Sequence, residues 1–367
     1  MKLKFPGFKI LDRYITVKFL GTYFFAIALI ILVVVIFDAT ERMDEFIENR
    51  APFSAIVFQY YLNFIPFFIN QFSGLFTFIA VIFFTSKMAY NTEIIAILSS
   101  GVSFRRMLWP YFLSATAITI LSLSLNFFVI PVSNQKRLDF QAVYFNKGRR
   151  GIQYDQHVYR QVEPGTFAYV RGFTGQNQRA YYLVLESYED GAIVSSLEAG
   201  NVQFDSVTTR WTAPEYVHRR FEGEQEFFEK GENLDTLINL TAMELGRMED
   251  MVKTMQYGEL NRFVRQQREK GSDMVAIFEV EKYSRWAYPM STFVLTLMGV
   301  SLSSRKVRGG TGLHIGIGIA LCFSYILIMK FAEEFAKGGV LPPAVAVWMP
   351  NVLYAVVAIY LYRRAPK

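Results

Sequence analysis

The chain has 367 residues, 52% hydrophobic and 16% aromatic with 35 phenylalanines, more apolar surface than a soluble domain needs for its core, so the expected solvent is a bilayer. The net charge of +6 sits at the edges of apolar runs rather than along one amphipathic face, which fits anionic phospholipid and topology and argues against nucleic acid. Cys322 is the one cysteine, and His157, His218 and His314 lie far apart, which excludes an intrachain disulfide and a cysteine or histidine metal site.

Six runs are long and apolar enough to cross a membrane: Phe19 to Phe37, Ile56 to Phe84, Leu108 to Ile130, Tyr283 to Leu302, Leu313 to Met329 and Ala344 to Tyr362. No small-residue cleavage pattern follows the first, which therefore reads as a retained anchor. The second exceeds one bilayer crossing. Its Pro66 frees a backbone carbonyl, and the Asn70–Gln71 pair needs protein partners in lipid, so a kink facing other helices is expected. Lys2, Lys4, Lys9, Arg13 and Lys18 precede the first span. Lys87, Arg105 and Arg106 follow the second, Arg305, Lys306 and Arg308 the fourth, and Arg363, Arg364 and Lys367 the sixth. These segments are assigned to the cytoplasm; the acidic stretch Asp38 to Glu48 and the balanced Lys330 to Lys337 belong outside.

Between the second and third spans, Asn91 to Arg106 reads as a short amphipathic helix. Asn91 or Thr92 would cap it, Glu93 would sit in its positive first turn, and Gly101 would end it in the left-handed conformation. On periodicity alone this is a surface linker between two spans.

From Pro131 to about Lys282, charges and turn residues replace long apolar runs, marking a separate water-facing domain. Strands are expected at Thr166 to Val170, Tyr181 to Tyr188, Ala192 to Leu197, Asn201 to Thr208 and Tyr216 to Phe221. Turns are expected at Pro164-Gly165, Asp190-Gly191 and Gly200-Asn201, a pattern that indicates a sandwich or jelly roll. Tyr257 to Lys270 reads as a connector helix near the membrane surface, with Leu260, Phe263 and Val264 on one face. The organisation is thus residues 1–130 with three spans and a loop helix over 91–104, residues 131–282 with an inserted all-β jellyroll-like domain and the connector helix, and residues 283–367 with three more spans.

The glycine-rich stretch Gly309 to Gly318 has no preceding strand and no closing Gly-Lys-Ser/Thr, so it is not a phosphate loop, and no such loop occurs elsewhere in the chain. Gly312 and Gly316 read instead as a small-x-x-x-small pair for close helix packing, and His314 as an interfacial residue. Glu333 and Glu334 read as a solvated outer loop. With no carboxylate, lysine or arginine at the span centres, a proton-coupled secondary transporter is disfavoured. A membrane enzyme would need convergent acid, base or metal groups. No catalytic residue, metal or cofactor is therefore expected, whereas a membrane-anchored periplasmic scaffold or sensor stays compatible with hydropathy.

The stretch Thr92-Glu93-Ile94-Ile95-Ala96-Ile97-Leu98-Ser99-Ser100-Gly101 resembles the coupling segment of the LptF/LptG permease family. Ile10 to Ile15 is similar to the opening of LptG-type members. Leu260 to Phe263, Tyr283 to Ser291, Gly339 to Pro343 and Trp348 to Asn351 match the family's connector helix and proline-containing spans in order. The resemblance covers essentially the whole chain and leans towards LptG. It implies a half-transporter that extracts lipopolysaccharide from the outer leaflet of the inner membrane and passes it to periplasmic β-jellyroll domains. The implied partners are an LptF-type permease, a dimer of the ATPase LptB, LptC and an LptA-type bridge. It further implies ATPase coupling through Glu93, Ile94, Ile97, Ser100, Gly101, Phe104 and Arg105. The implied lipid cavity and lateral gate use Phe24, Ile31, Phe37 and Arg42 of the first span, Phe67 and Gln71 of the second, and Gly312, Gly316 and Tyr325 of the fifth. One departure is plain: where LptG-like members are basic at the outer end of the first span, Val35-Ile36-Phe37 here leads into an acidic loop with Arg42 as its nearest cation. Arg42 either serves the lipid head group or pairs with Asp38 or Glu45.

Overall fold

The computed structural model describes residues 10–145, 158–174, 178–205, 208, 210–223, 225–238, 240, 251–269, 272, 274–305 and 311–365. Lys2, Lys4, Lys9, His157, Lys270, Lys306, Arg308, Gly309, Gly310 and Lys367 lie outside the described residues. The chain divides into two compact units, one comprising Met1–Asp44, Pro52–Arg137 and Ala276–Lys367, the other Glu45–Ala51 and Leu138–Val275.

The first unit is helical. Helix α1 (Ile10–Glu41) buries only a narrow stripe at Asp12, Ile15, Phe19, Tyr23 and Ile27. Its other faces are equally apolar and exposed, with Phe25, Leu32 and Phe37 among them. Apolar side chains on all sides with one stripe against protein describe a helix solvated by lipid. After α2 (Met43–Glu48) come α3 (Phe53–Gln71) and α4 (Ser73–Tyr90), then the short α5 (Glu93–Ser99). Helix α6 (Phe104–Ser124) runs through a π-helical turn (Leu125–Val129) into α7 (Ile130–Tyr144). The chain closes with α9 (Val275–Ser303), α10 (Thr311–Lys337) and α11 (Pro343–Arg364); α8 belongs to the second unit, as do the later residues of α2 and of α7.

Length and hydropathy taken helix by helix count α3 and α4 as two spans and pass over α9. Hydrogen bonding decides otherwise for α3 and α4. Phe72 N–H donates to Phe68 O (3.2 Å) and Phe76 N–H to Phe72 O (3.0 Å), so the helical ladder runs through the bend and the two helices form one kinked span. Helix α9 is passed over because Glu279, Glu281, Lys282 and Arg285 crowd its first half and serine, threonine, tyrosine, tryptophan and proline dilute the rest, yet Trp286 to Ser303 carries no charge. Among the described residues the apolar spans are therefore α1, α3–α4, α6, α9, α10 and α11, in the expected order.

Helix α4 is the centre of this unit. One side packs Phe76, Ala80 and Phe84 with Phe19, Met107 and Tyr111, and the other packs Phe78 and Ile82 with Met298, Cys322 and Tyr325. Two glycines permit the approach. A Cβ on Gly299 would lie 2.8 Å from Val81 Cγ1, and one on Gly318 would overlap Ile82.

The second unit is an antiparallel sheet of nine strands: β1 (Val158–Glu163), β2 (Thr166–Val170), β3 (Phe173–Thr174), β4 (Arg179–Ala180), β5 (Leu183–Glu189), β6 (Ala192–Ala199), β7 (Val202–Asp205), β8 (Arg210–Glu222) and β9 (Gln225–Thr236). The order is β1-β2-β5-β6-β8-β7-β4-β3, with β9 on β8. Strand β8 makes the corner, since Arg210 to Thr212 pair with β7 and Tyr216 to Arg220 pair with β6. Pro214 falls between these two registers, where no ladder donor is required. Val162, Ala168 and Leu183 from one end of the order meet Ala180, Val202, Phe204 and Trp211 from the other in a single core, so the sheet folds over on itself. The Asp190-Gly191 turn has φ of 50° and 83°, the paired left-handed residues of a tight hairpin. Helix α8 (Tyr257–Glu269) buries Leu260, Val264 and Gln267.

Candidate functional site

The segment joining the second and third spans is built as a corner. Helix α5 buries Ile94 and packs Ile97 and Leu98 against the helical core, leaving Ile95, Ala96, Ser99 and Ser100 exposed. Gly101 terminates it at φ 86°, as the sequence suggested. The start differs from expectation. Thr92 is itself left-handed (φ 62°) and makes no cap, because its hydroxyl donates to Asn91 O at 2.6 Å. Ser103 then caps α6 by accepting the Arg106 N–H at 3.3 Å, so α5 ends at Ser99 rather than running through 104. Of the residues assigned to ATPase coupling, Ile94 and Phe104 are core side chains, Ile97 is half-buried, and Glu93, Ser100, Gly101 and Arg105 reach the surface.

Glu93 is held from two sides. Its Oε2 accepts the Tyr14 hydroxyl at 2.9 Å and its Oε1 accepts Asn91 Nδ2 at 3.1 Å. Two residues earlier on α1, Asp12 takes both terminal nitrogens of Arg106, each at 2.6 Å, with the Asp12 side chain 1% exposed. A fork-on-fork pair of this kind is strong and oriented. Stranding the buried Asp12 carboxylate by removing Arg106 costs about 3–5 kcal/mol. Sequence reading missed the pair. Its only trace was an acid among the basic residues before the first span.

The residues assigned to the lipid cavity do not form one site. Phe24 and Phe37 lie on the exposed face of α1, while Ile31 packs on the core. Arg42 pairs with Asp38 (Nε to Oδ1, 3.0 Å) and lies 5.8 Å from the Tyr60 ring centroid, and Tyr60 donates to the same Asp38 oxygen at 3.3 Å. The pairing alternative for Arg42 is thus present. Phe67 receives the Arg137 guanidinium on its ring at 5.1 Å. Gln71 and Tyr325 do meet, lining a cavity of about 20 Å³ with Tyr288, Ser291 and Met329. Gly312 and Gly316 have no atom of the described residues within 4 Å of a Cβ position, so each faces open space among those residues.

Several polar side chains within the helical unit pair with one another or with backbone carbonyls. Asn126 accepts from Asn70 Nδ2 at 2.7 Å and donates to Arg285 O at 3.0 Å. That carbonyl would ordinarily receive the N–H four residues on, which Pro289 lacks. Glu333, expected in a solvated loop, is instead 5% exposed within α10, accepting from Tyr288 and from Lys330 Nζ. Adjacent residues on a helix point about 100° apart, which is why Glu334 alone faces out and pairs with Lys337 at 2.9 Å. Among the described residues no cluster of three His, Cys, Asp or Glu side chains has metal-site geometry.

Six apolar spans, interrupted after the third by an antiparallel β unit, define a polytopic membrane protein with an inserted β domain. The family model of the lipopolysaccharide export system permease LptF/LptG matches residues 13–364, so the chain belongs to that family. The match does not separate LptG from LptF. A search of curated proteins finds no match. Membership makes the chain an inner-membrane transport subunit that works within an Lpt complex, rather than a catalytic enzyme.

Proposed function

We propose that the chain is the LptG-type half of an ABC exporter that lifts lipopolysaccharide from the outer leaflet and delivers it to a periplasmic β-jellyroll bridge. The observation carrying this reading is the α5 corner within a family match over residues 13–364. A seven-residue helix lies between two spans, seated by Ile94 and Ile97 and presenting Ile95, Ala96 and Ser99 outward beside Glu93. Such a surface suits a groove of a cytoplasmic ATPase dimer of the LptB kind, with an LptF-type subunit as the second permease half. LptC and an LptA-type bridge would meet the β unit. The lysine and arginine pattern supports cytoplasmic termini and α5, with residues 131–282 on the periplasmic side. Purification in mild detergent, with mass spectrometry and an ATPase assay of what accompanies the chain, tests the proposal. A nucleotide-hydrolysing subunit and a second six-span permease are expected. The chain alone, or unrelated partners without ATPase activity, would transfer the reading to a membrane-anchored scaffold or sensor.

A further inference from the structure

Helix α5 has a left-handed residue just outside each end, Thr92 (φ 62°) and Gly101 (φ 86°), and its first turn has no side-chain cap. Ends of that kind allow a short helix to pivot while the long helices beside it stay in place, so a push on α5 would be absorbed locally. The first turn of α1 prevents this. Asp12 and Tyr14 are two positions apart and point about 200° apart around the helix axis. One reaches Arg106, the third residue of α6, and the other reaches Glu93, the first residue of α5. The end of α1 is therefore gripped on both flanks of α5 by bonds between residues 94 and 79 positions apart. The two grips differ in kind. Asp12–Arg106 is bidentate with a buried carboxylate, whereas Tyr14 is 40% exposed and makes a single bond to Glu93. Beyond the grip, α1 packs on the unit through its stripe from Ile15 to Ile27, continued by Ile30 and Ile31. It is held at its outer end where Asp38 accepts from Tyr60, while Phe24, Phe25, Leu32 and Phe37 stay exposed.

We infer that Asp12, Arg106 and Tyr14 are positioning residues that latch α1 to the α5 corner, so that displacement of α5 by a bound ATPase tilts α1 and its lipid-facing surface. The inference rests on the docking role of α5 given above. None of the three residues meets nucleotide or lipid in this scheme; they convert motion at one end of the span into motion along it.

The test uses the assembled transporter in proteoliposomes, measuring lipopolysaccharide extracted per ATP hydrolysed for the unsubstituted chain, Asp12→Asn and Tyr14→Phe. Spin labels at Val17 on α1 and Ser99 on α5 report their separation with and without nucleotide. In the unsubstituted complex the label separation is expected to stay constant as nucleotide changes. In Asp12→Asn the ATPase is expected to remain bound and hydrolysing while lipid per ATP falls at least about fivefold, the lower end of coupling between sites, and the label separation varies. Tyr14→Phe removes one exposed hydroxyl, cannot prevent folding, and is expected to act in the same direction less strongly; it decides the matter if Asp12→Asn misfolds. An unchanged lipid-to-ATP ratio in both variants, or labels that separate in the unsubstituted complex, overturns the latch. Loss of the ATPase from the two variants alone also overturns it, because the residues would then serve docking. Absence of an ATPase from the unsubstituted chain overturns the docking reading, and the latch with it.

Discussion

Replacing Asn126 with Leu tests how the helical unit holds its proline-containing fourth span. The side chain is 7% exposed and makes two hydrogen bonds, accepting from Asn70 and donating to the carbonyl that Pro289 leaves without a helical partner. In a membrane protein each interhelical bond contributes about 0.6 kcal/mol on average. Leaving the Asn70 amide and the Arg285 carbonyl buried and unsatisfied adds about 1–3 kcal/mol, so the predicted loss is about 2–4 kcal/mol. Asn70→Leu alone should cost a similar amount, since it removes the same bond and a second one from Ser122. The double substitution strands the Arg285 carbonyl and the Ser122 hydroxyl but no longer an asparagine amide, so it should cost less than the sum by about 0.5–3 kcal/mol. Reversible unfolding of the full chain by SDS in mixed micelles measures all four corners of this cycle. A single-variant cost below 0.5 kcal/mol by that measurement, taken as about the noise of surface substitutions, would refute the argument. Strict additivity would show that the two asparagines act independently.

Further predictions follow from individual contacts. Glu93→Ala, which removes the carboxylate at the start of α5, should weaken recovery of the ATPase or uncouple its hydrolysis from export; normal export in a complementation assay would sink that assignment. Gly318→Leu has no room beside Ile82 and should cost about 1–3 kcal/mol through overpacking. Gly316→Leu enters open space, so its unfolding midpoint in detergent should match that of the unsubstituted chain; any reduction in yield of a two-permease complex would then report on a partner surface. Trp211→Phe deletes the indole bond to Leu240 O (2.8 Å) in the β core and should cost about 1–3 kcal/mol, visible as faster amide exchange in β8 with the helical unit unaffected. Photocrosslinkers at core positions such as Val202 and Phe204 test direct passage of lipid through the β unit, and no adduct with lipopolysaccharide at any of them would exclude that route.

Composition and run length determined the solvent, the order of spans and the break for a β unit, because in lipid every backbone polar group must be paired within a helix or a sheet. Strand β2 was legible residue for residue and the Asp190-Gly191 hairpin by its turn chemistry, since both are local. The strands that sequence reading missed are those that neighbours create. Strand β9 is mostly exposed and shows no alternation, and it exists through its ladder to β8; the first part of β8 lies before a proline that reads as a strand breaker. The same division runs through the candidate site. Glu93 and Gly101 were visible as the ends of a short helix. That Ile94 and Phe104 belong to the core, that Arg42 is occupied by Asp38, that Glu333 is buried and that Asp12 grips Arg106 were decided only when distant helices met. Periodicity tells which residues of a helix share a face, but an apolar helix with no polar side does not say which face finds protein and which finds lipid. That choice is made by the partners, the glycines that let them approach and the polar side chains that must pair once they do.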